Sequence, residues 1–202
     1  MSKKSETTRE KILNTATELF LKKGVDRVGV REIAAKAEIN LSLMNYYFKS
    51  KEKLLEIIFD NQINQRASTL RTILESDIPI EEKVRKYCST YIDLLLENPL
   101  LVSFVLSILH RNPDKLKSMT SVIKLYNTEK FCKQIAIEAE AGKIRKIDPE
   151  QFFISMLSLI IFPFAIKELI VDRNKFKKKE YIHFIEQRKE LVAEMLIQYL
   201  KP

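Results

Sequence analysis

The stretch VREIAAKAEINLSLMNYYFKSKEKL, residues 30–54, decides the fold. Its apolar residues recur at helical spacing up to Ala37, the pattern breaks over residues 38–40, and a second apolar pattern follows. Asn40 is a good N-cap, so a second short helix is predicted at residues 41–48. Two short helices joined by a tight turn form a helix-turn-helix, which places its second helix in the major groove of DNA. The stretch therefore predicts a reader of double-stranded DNA.

A small core has to fix the angle between these two helices. Ala34 and Ala37 matter here, because only small side chains let two helices cross closely. Tyr46 is predicted to pack mainly in this core. The other predicted core residues are Ile33, Ala34, Ala37, Ile39, Met44 and Phe48. The predicted exposed face of the second helix carries Leu41, Ser42, Asn45 and Tyr47, with Lys51 just beyond the helix.

The rest of the chain also reads as helices. Only 3 glycines and 6 prolines interrupt 202 residues, which favours an all-α fold. The first helix is predicted to begin near Thr7, where Thr7 and Glu10 have capping-box spacing, and to end at Gly24. Longer helices follow at about 51–74, 81–97, 99–110, 114–141, 149–171 and 177–200. These nine helices divide into a three-helix DNA-binding domain, residues 1–53, and a larger helical domain, residues 54–202.

Composition and spacing exclude several classes of protein. The longest apolar stretch, 154–166, is too short for the roughly 20 residues of a membrane-spanning helix, and no secretory signal is visible. We therefore expect a cytoplasmic protein. The 2 cysteines and 2 histidines are isolated, which predicts no metal site and no cofactor. Without a phosphate-binding loop, nucleophile elbow or carboxylate cluster, an enzyme is not predicted.

Positive charge is concentrated at the front of the chain. The net charge is +8, and residues 1–53 hold 12 Lys and Arg against 7 Asp and Glu. A basic excess favours a polyanionic partner. DNA fits the predicted motif, while anionic lipid bound by a basic helical surface is the alternative from another class. Sedimentation with anionic and neutral liposomes would separate the two.

The motif resembles the signature of the TetR family. The resemblance rests on residues 30–37, on Ile39-Asn40, and on NYYFKSKEKL at 45–54, and it extends back to FLKKG at 20–24. It implies that Arg31 and the recognition-helix residues Leu41, Ser42, Leu43 and Asn45 reach base edges, and that Tyr47 and Lys51 contact phosphate. Asn40, at the start of that helix, completes the predicted DNA-binding set.

Three positions depart from the family pattern. Gly29 stands where a threonine often caps the helix and contacts phosphate, and Asn45 stands where a tyrosine is frequent. Glu38 replaces the usual turn glycine, and its negative charge near DNA is expected to be mildly repulsive. These departures leave the resemblance intact.

For residues 54–202 the resemblance implies an effector site and dimerisation through the last two long helices. The helix beginning at Asp148 is apolar almost all round, which fits a helix buried between its own domain and a partner. Pro163 is expected to kink it and so to leave room for a ligand. The candidate ligand-binding residues are Tyr87, Tyr91, Leu101, Phe104, Phe131, Phe152 and Phe162, and ordinary core packing is the alternative for each.

The function implied by the resemblance is regulation of transcription. A dimer would bind a palindromic operator, repress, and be released by a small apolar or amphipathic effector. An activator, or a regulator that responds to no ligand, would have the same sequence features.

Overall fold

The computed structural model describes residues 3–103, 105, 106 and 128–202, with side chains from residue 7 onward except 59–67. Every helix or strand assigned in these residues is an α-helix, which confirms the all-α prediction. The predicted helices at 99–110 and 114–141 lie only partly within the described residues, and the second is not one continuous helix, because Thr128 is the N-cap of a helix at Glu129–Glu140. The described helices are α1 (Lys3–Lys23), α2 (Val30–Lys36), α3 (Leu41–Phe48), α4 (Lys51–Glu75), α5 (Ile80–Glu97), α6 (Glu129–Glu140), α7 (Pro149–Ala165), α8 (Lys167–Asn174) and α9 (Lys178–Leu200).

The three N-terminal helices pack around one small core. α2 contacts both α1 and α3, and α4 contacts α1 and α3. The predicted core residues of the motif are buried, apart from a half-buried Ile39 and an exposed Tyr46. Asn40 Oδ1 accepts a hydrogen bond from the Leu43 backbone N at 2.7 Å, which confirms the predicted N-cap of α3. The start predicted near Thr7 is wrong, because α1 begins at Lys3. Residues 3–6 contain neither glycine nor proline, so the helix is not interrupted before Thr7.

α5 is the central helix of the larger part of the chain. α4, α7 and α9 all pack against it, and α7 also contacts α6 and α9. α4 joins the two parts, with Leu54 and Ile58 buried near its start and Leu70 and Leu74 buried near its end. Its start is capped as predicted, since Ser50 Oγ accepts from the Lys53 backbone N at 3.1 Å.

The helix predicted at 149–171 is two helices. Asp148 caps its start and Pro149 is its first residue, as predicted, but α7 ends at Ala165 and α8 continues at an angle of 61°. Pro163 has no N–H to donate to the carbonyl of Leu159 four residues earlier. That carbonyl instead accepts from Arg188 Nη2 of α9 at 2.9 Å. The break is therefore stabilised by α9.

Two properties predicted from composition can be compared with the described residues. Among them no single helix is long and apolar enough to span a membrane, although the bent pair α7 and α8 reaches that length and hydropathy together. The described part of the chain also contains no group of three His, Cys, Asp or Glu side chains placed to hold a metal ion.

Candidate nucleic-acid interface

α3 is amphipathic, and its exposed side faces away from the core. Met44 and Phe48 are buried at 1% exposure each and fix the helix against α2 and α4. The exposed side consists of Leu41, Ser42, Asn45, Tyr46 and Lys49. Leu41 and Ser42 lie four and three residues before Asn45, so these side chains share one side of the helix, and Lys49 follows as the C-cap. A recognition helix offers an exposed side of this kind to a major groove.

The other predicted DNA-binding residues surround this exposed side of α3. Arg31 is exposed in the first turn of α2, and Asn40 is exposed at the N-cap of α3. Leu43 and Tyr47 are half-buried, with Tyr47 packed against the core. Lys51 Nζ lies 6.0 Å from the centroid of the Phe20 ring, beside the start of α4. The predicted set therefore lies on α2, α3 and the start of α4, and Tyr47 also packs against the core.

The prediction for Tyr46 is wrong. Its side chain is 77% exposed, and its ring meets the Tyr47 ring edge-on at 5.3 Å between centroids. The reason is helical geometry: Tyr46 lies two residues from both Met44 and Phe48, which puts it on the opposite side of α3. Met44 and Phe48, four residues apart, mark the buried side of α3, and this spacing could have placed Tyr46 among the candidate DNA-binding residues.

Glu38 occupies the turn between α2 and α3 in a left-handed conformation, with φ of 55°. Glycine adopts this conformation without strain, which is why it is usual in such turns. The Glu38 carboxylate accepts a hydrogen bond from Lys11 Nζ at 2.8 Å. This bond and the charge of Lys11 hold the pKa of Glu38 below its usual value. The carboxylate is therefore ionised, and Lys11 partly compensates its charge.

Ion pairs also tie α1 to α2. Lys36 Nζ lies 2.6 Å from Glu18 Oε1, and Lys23 Nζ lies 2.5 Å from Glu32 Oε1. All four side chains are partly exposed, so the pairs orient the helices more than they stabilise them.

The predicted ligand-binding residues fall into three groups. Phe104 lies outside the described residues. Phe162 is 61% exposed on the surface of α7 and does not join the others. The remaining five, which are buried in the core, are Tyr87, Tyr91, Leu101, Phe131 and Phe152.

The buried rings form a cluster, together with Phe153. Tyr87 is 5.7 Å from Tyr91 and 6.0 Å from Phe153, measured between ring centroids. Phe131 is 6.3 Å from Phe152 and 5.9 Å from Phe153. All five predicted residues are buried side chains of the hydrophobic core, and their role in binding a ligand stays a prediction.

α7 and α9 carry exposed apolar stripes. On α7 the exposed residues recur every fourth position, and on α9 three large apolar side chains are each more than half exposed. The stripes consist of Ile154, Ser158 and Phe162 on α7 and Leu191, Met195 and Tyr199 on α9. Large apolar side chains exposed along two helices that contact each other are typical of an interaction site.

Known proteins match both the motif and the whole chain. Residues 12–58 match the model of the bacterial regulatory proteins of the tetR family. Over 172 residues the chain is 27% identical to the probable HTH-type transcriptional regulator YttP of Bacillus subtilis (strain 168). The matched region covers 82% of this chain and 81% of that protein.

Solved structures share the fold over nearly the full length. A tetR family regulatory protein from Rhodococcus RHA1 superposes with a TM-score of 0.73 at 19% identity, covering 100% of this chain and 98% of that one. FadR of Bacillus subtilis, solved in complex with stearoyl-CoA, superposes with a TM-score of 0.64 at 16% identity, covering 95% and 98%. These findings indicate a regulator of transcription and not an enzyme. On its helix-turn-helix, residues 12–58 are identified as the DNA-binding part of a regulatory protein of the tetR family, and the chain as a whole is similar to transcriptional regulators of this kind.

Proposed function

We propose that the chain binds a palindromic operator as a homodimer, represses transcription from it, and is released by a small apolar or amphipathic effector. The observation that carries the proposal is the exposed side of α3, where polar side chains project from a helix fixed by Met44 and Phe48. Such a helix can enter a major groove while its buried side holds it to the protein. The protein acts where the chromosome lies, in the cytoplasm.

On this proposal the residues of the interface divide by role. Asn45 reads adenine through a bidentate pair, and Leu41 contacts a thymine methyl group. Ser42 and Arg31 contact neighbouring base edges. Lys51 and Tyr47 contact phosphate and set the register of the protein on the duplex. Because Tyr46 is exposed, we add it to the side chains proposed to face the groove.

The homodimer is proposed to form through the apolar stripes of α7 and α9. Pairing the stripes of two copies about a two-fold axis would bury the side chains that a monomer exposes. It would also place two α3 helices about one DNA turn apart, roughly 34 Å, as a palindrome requires.

The effector is proposed to bind among the aromatic residues of α5, α6 and α7. The rings are apolar, with tyrosine hydroxyl groups to orient a ligand, which suits an amphipathic molecule. The stearoyl-CoA bound to the related FadR structure is a molecule of that kind. A ligand can release the operator only by favouring a second conformation, and by no more than its differential affinity for the two.

Selection from a random duplex library at moderate salt tests the proposal. A palindrome with half-sites about one turn apart is the expected result, and it would supply the operator for effector screening. Absence of enrichment, both before and after refolding to strip bound ligand, would overturn DNA binding by this motif.

Lys51→Ala is expected to weaken binding to all duplexes about equally. The loss of one phosphate contact should also reduce the slope of log affinity against log salt by about one unit. Because Lys51 Nζ also lies over the Phe20 ring, Lys51→Met serves as a control that keeps the packing of the aliphatic stem. An unchanged salt slope in both variants would contradict the phosphate contact.

Glu38→Gly is expected to bind DNA more tightly, with a salt slope up to about one unit steeper. The substitution removes a carboxylate beside the interface and releases the Lys11 ammonium from it. The free energy of unfolding should change by less than about 1 kcal/mol, because relief of left-handed strain is offset by the flexibility of glycine in the unfolded chain. Glu38→Gln, which removes the charge but keeps the strain, should gain the affinity alone. Equal affinity of all three proteins would refute the electrostatic account.

A further inference from the structure

Lys83 of α5 is a fully buried lysine. Its side chain is 0% exposed, in a region where the other buried side chains are apolar. Its Nζ donates to three oxygen atoms: the Leu74 carbonyl at 3.0 Å, the Ser76 carbonyl at 2.8 Å, and Gln134 Oε1 at 2.6 Å. An ammonium group has three hydrogens, so every donor of this buried cation is satisfied.

These bonds hold the C-terminal end of α4. Leu74 lies in its last turn and Ser76 is its C-cap, so both carbonyls belong to the negative end of the helix dipole. The Lys83 ammonium satisfies carbonyls that the helix itself leaves without a partner. Burial lowers the pKa of Lys83, an effect opposed by the nearby carboxylates of Asp77 and Glu138.

The same lysine connects α4 to α6. Gln134 of α6 accepts from Lys83 and donates through Nε2 to the Ile78 carbonyl at 3.1 Å and to Glu138 at 2.8 Å. One turn earlier on α6, Phe131 packs against Phe152 and Phe153 of the aromatic cluster. Lys83 therefore links the end of α4 to α6, the helix that also carries Phe131 of the aromatic cluster.

α4 is a lever between the two parts of the chain. Its 25 residues span about 37 Å at 1.5 Å per residue. Only two residues separate it from α3, so a change in the direction of α4 is passed on to the recognition helix. A tilt of about 5° at the C-terminal end displaces the other end by about 3 Å, close to one base-pair step.

We propose that Lys83, bonded to the end of α4 and to Gln134, is the positioning residue that sets the separation of the two recognition helices in the dimer. The inference rests on the proposed function, because it concerns the spacing of half-sites in a palindrome. A tilt of α4 has to break or lengthen the bonds of a buried cation, which holds the lever at one angle. Loss of the cation allows several angles at similar free energy.

The test measures affinity for the selected operator and for duplexes with one base pair added or removed between the half-sites. Each step changes the half-site separation by about 3.4 Å and rotates it by about 34°. The wild-type chain is expected to prefer its own spacing by at least about tenfold. Lys83→Met, which keeps the length of the side chain, is expected to prefer it by less than about threefold, with the base preference within each half-site unchanged.

The control is Arg85→Met on the same helix. Arg85 pairs with Glu190 and Glu194 of α9 and with nothing described on α4, so its loss should leave the spacing preference as in wild type. A merely structural role of Lys83 would lower thermal stability and leave the spacing preference intact. That result overturns the inference.

A second variant covers the case in which Lys83→Met fails to fold, as judged by circular dichroism. Gln134→Ala cuts the connection to α6 while the two carbonyl bonds at the end of α4 remain. Its spacing preference is expected to be weaker than that of wild type but stronger than that of Lys83→Met. An undiminished preference overturns the inference. If the wild-type chain itself shows no preferred spacing, the proposed dimeric operator binding fails instead, and the role of Lys83 fails with it.

Discussion

A chain carrying both Phe162→Glu and Leu191→Glu is expected to sediment as a monomer and to bind the operator at least about a hundredfold more weakly. The two side chains are 61% and 52% exposed, so the monomer can accept a carboxylate at either position at little cost in stability. In the proposed dimer the same carboxylates would be buried without partners, which is strongly unfavourable. A monomer presents one α3 to one half-site and loses the gain from simultaneous binding.

Sedimentation velocity and operator binding measure the two effects separately. Ile137→Glu on α6 is the matched control, because Ile137 is 65% exposed but lies outside the stripes of α7 and α9. It should remain a dimer with wild-type affinity. If the double variant remains a dimer, the interface lies elsewhere. If it is a monomer that binds the operator with full affinity, dimerisation is not needed for binding.

The sequence was informative where structure depends on neighbouring residues. The N-caps Asn40, Ser50 and Asp148 each accept from a backbone N three residues later, and such local contacts can be read from residue type and spacing. The extent of α3 and the buried Met44 and Phe48 follow from helical periodicity in the same way.

The sequence was less informative where distant residues meet. Pro163 predicts a kink, but the helix breaks completely at Ile166, where side chains of α9 contact it. Arg188 supplies the donor for the Leu159 carbonyl. The Tyr181 hydroxyl donates to the Pro163 carbonyl at 3.3 Å. The burial of Lys83 is of the same kind. A lysine is ordinarily predicted at the surface, and three acceptors from two segments, the end of α4 and α6, are what allow it to be buried.

Composition does not distinguish an effector pocket from a hydrophobic core, because both are lined by apolar and aromatic side chains. Tyr87, Phe131 and Phe152 are as apolar and as buried as any ligand-binding ring, and periodicity cannot distinguish the two. Only the three-dimensional position separated Phe162 from them.

Asn45→Ala is expected to lose discrimination at one base pair of each half-site, by about 1–3 kcal/mol. Asn45 is exposed on the side of α3 proposed to face the groove, and alanine keeps the helix while removing both hydrogen-bonding groups of the amide. Affinity should fall for the selected operator and change little for duplexes that already carry the wrong base at that position. Competition binding against all four base pairs at each position of the half-site measures the loss and identifies the base that is read.

Asn45→Ala and Lys51→Ala are expected to lose affinity in different patterns. Both variants weaken binding to the operator, but a phosphate contact is lost equally on every duplex, whereas a base contact is lost only on the duplex that carries the matching base. A uniform loss in Asn45→Ala would mean that α3 enters the groove in a different orientation. Tyr46, exposed one residue farther along α3, would then be the next side chain to substitute, because turning the helix toward that side brings its ring to the base edges in place of the Asn45 amide.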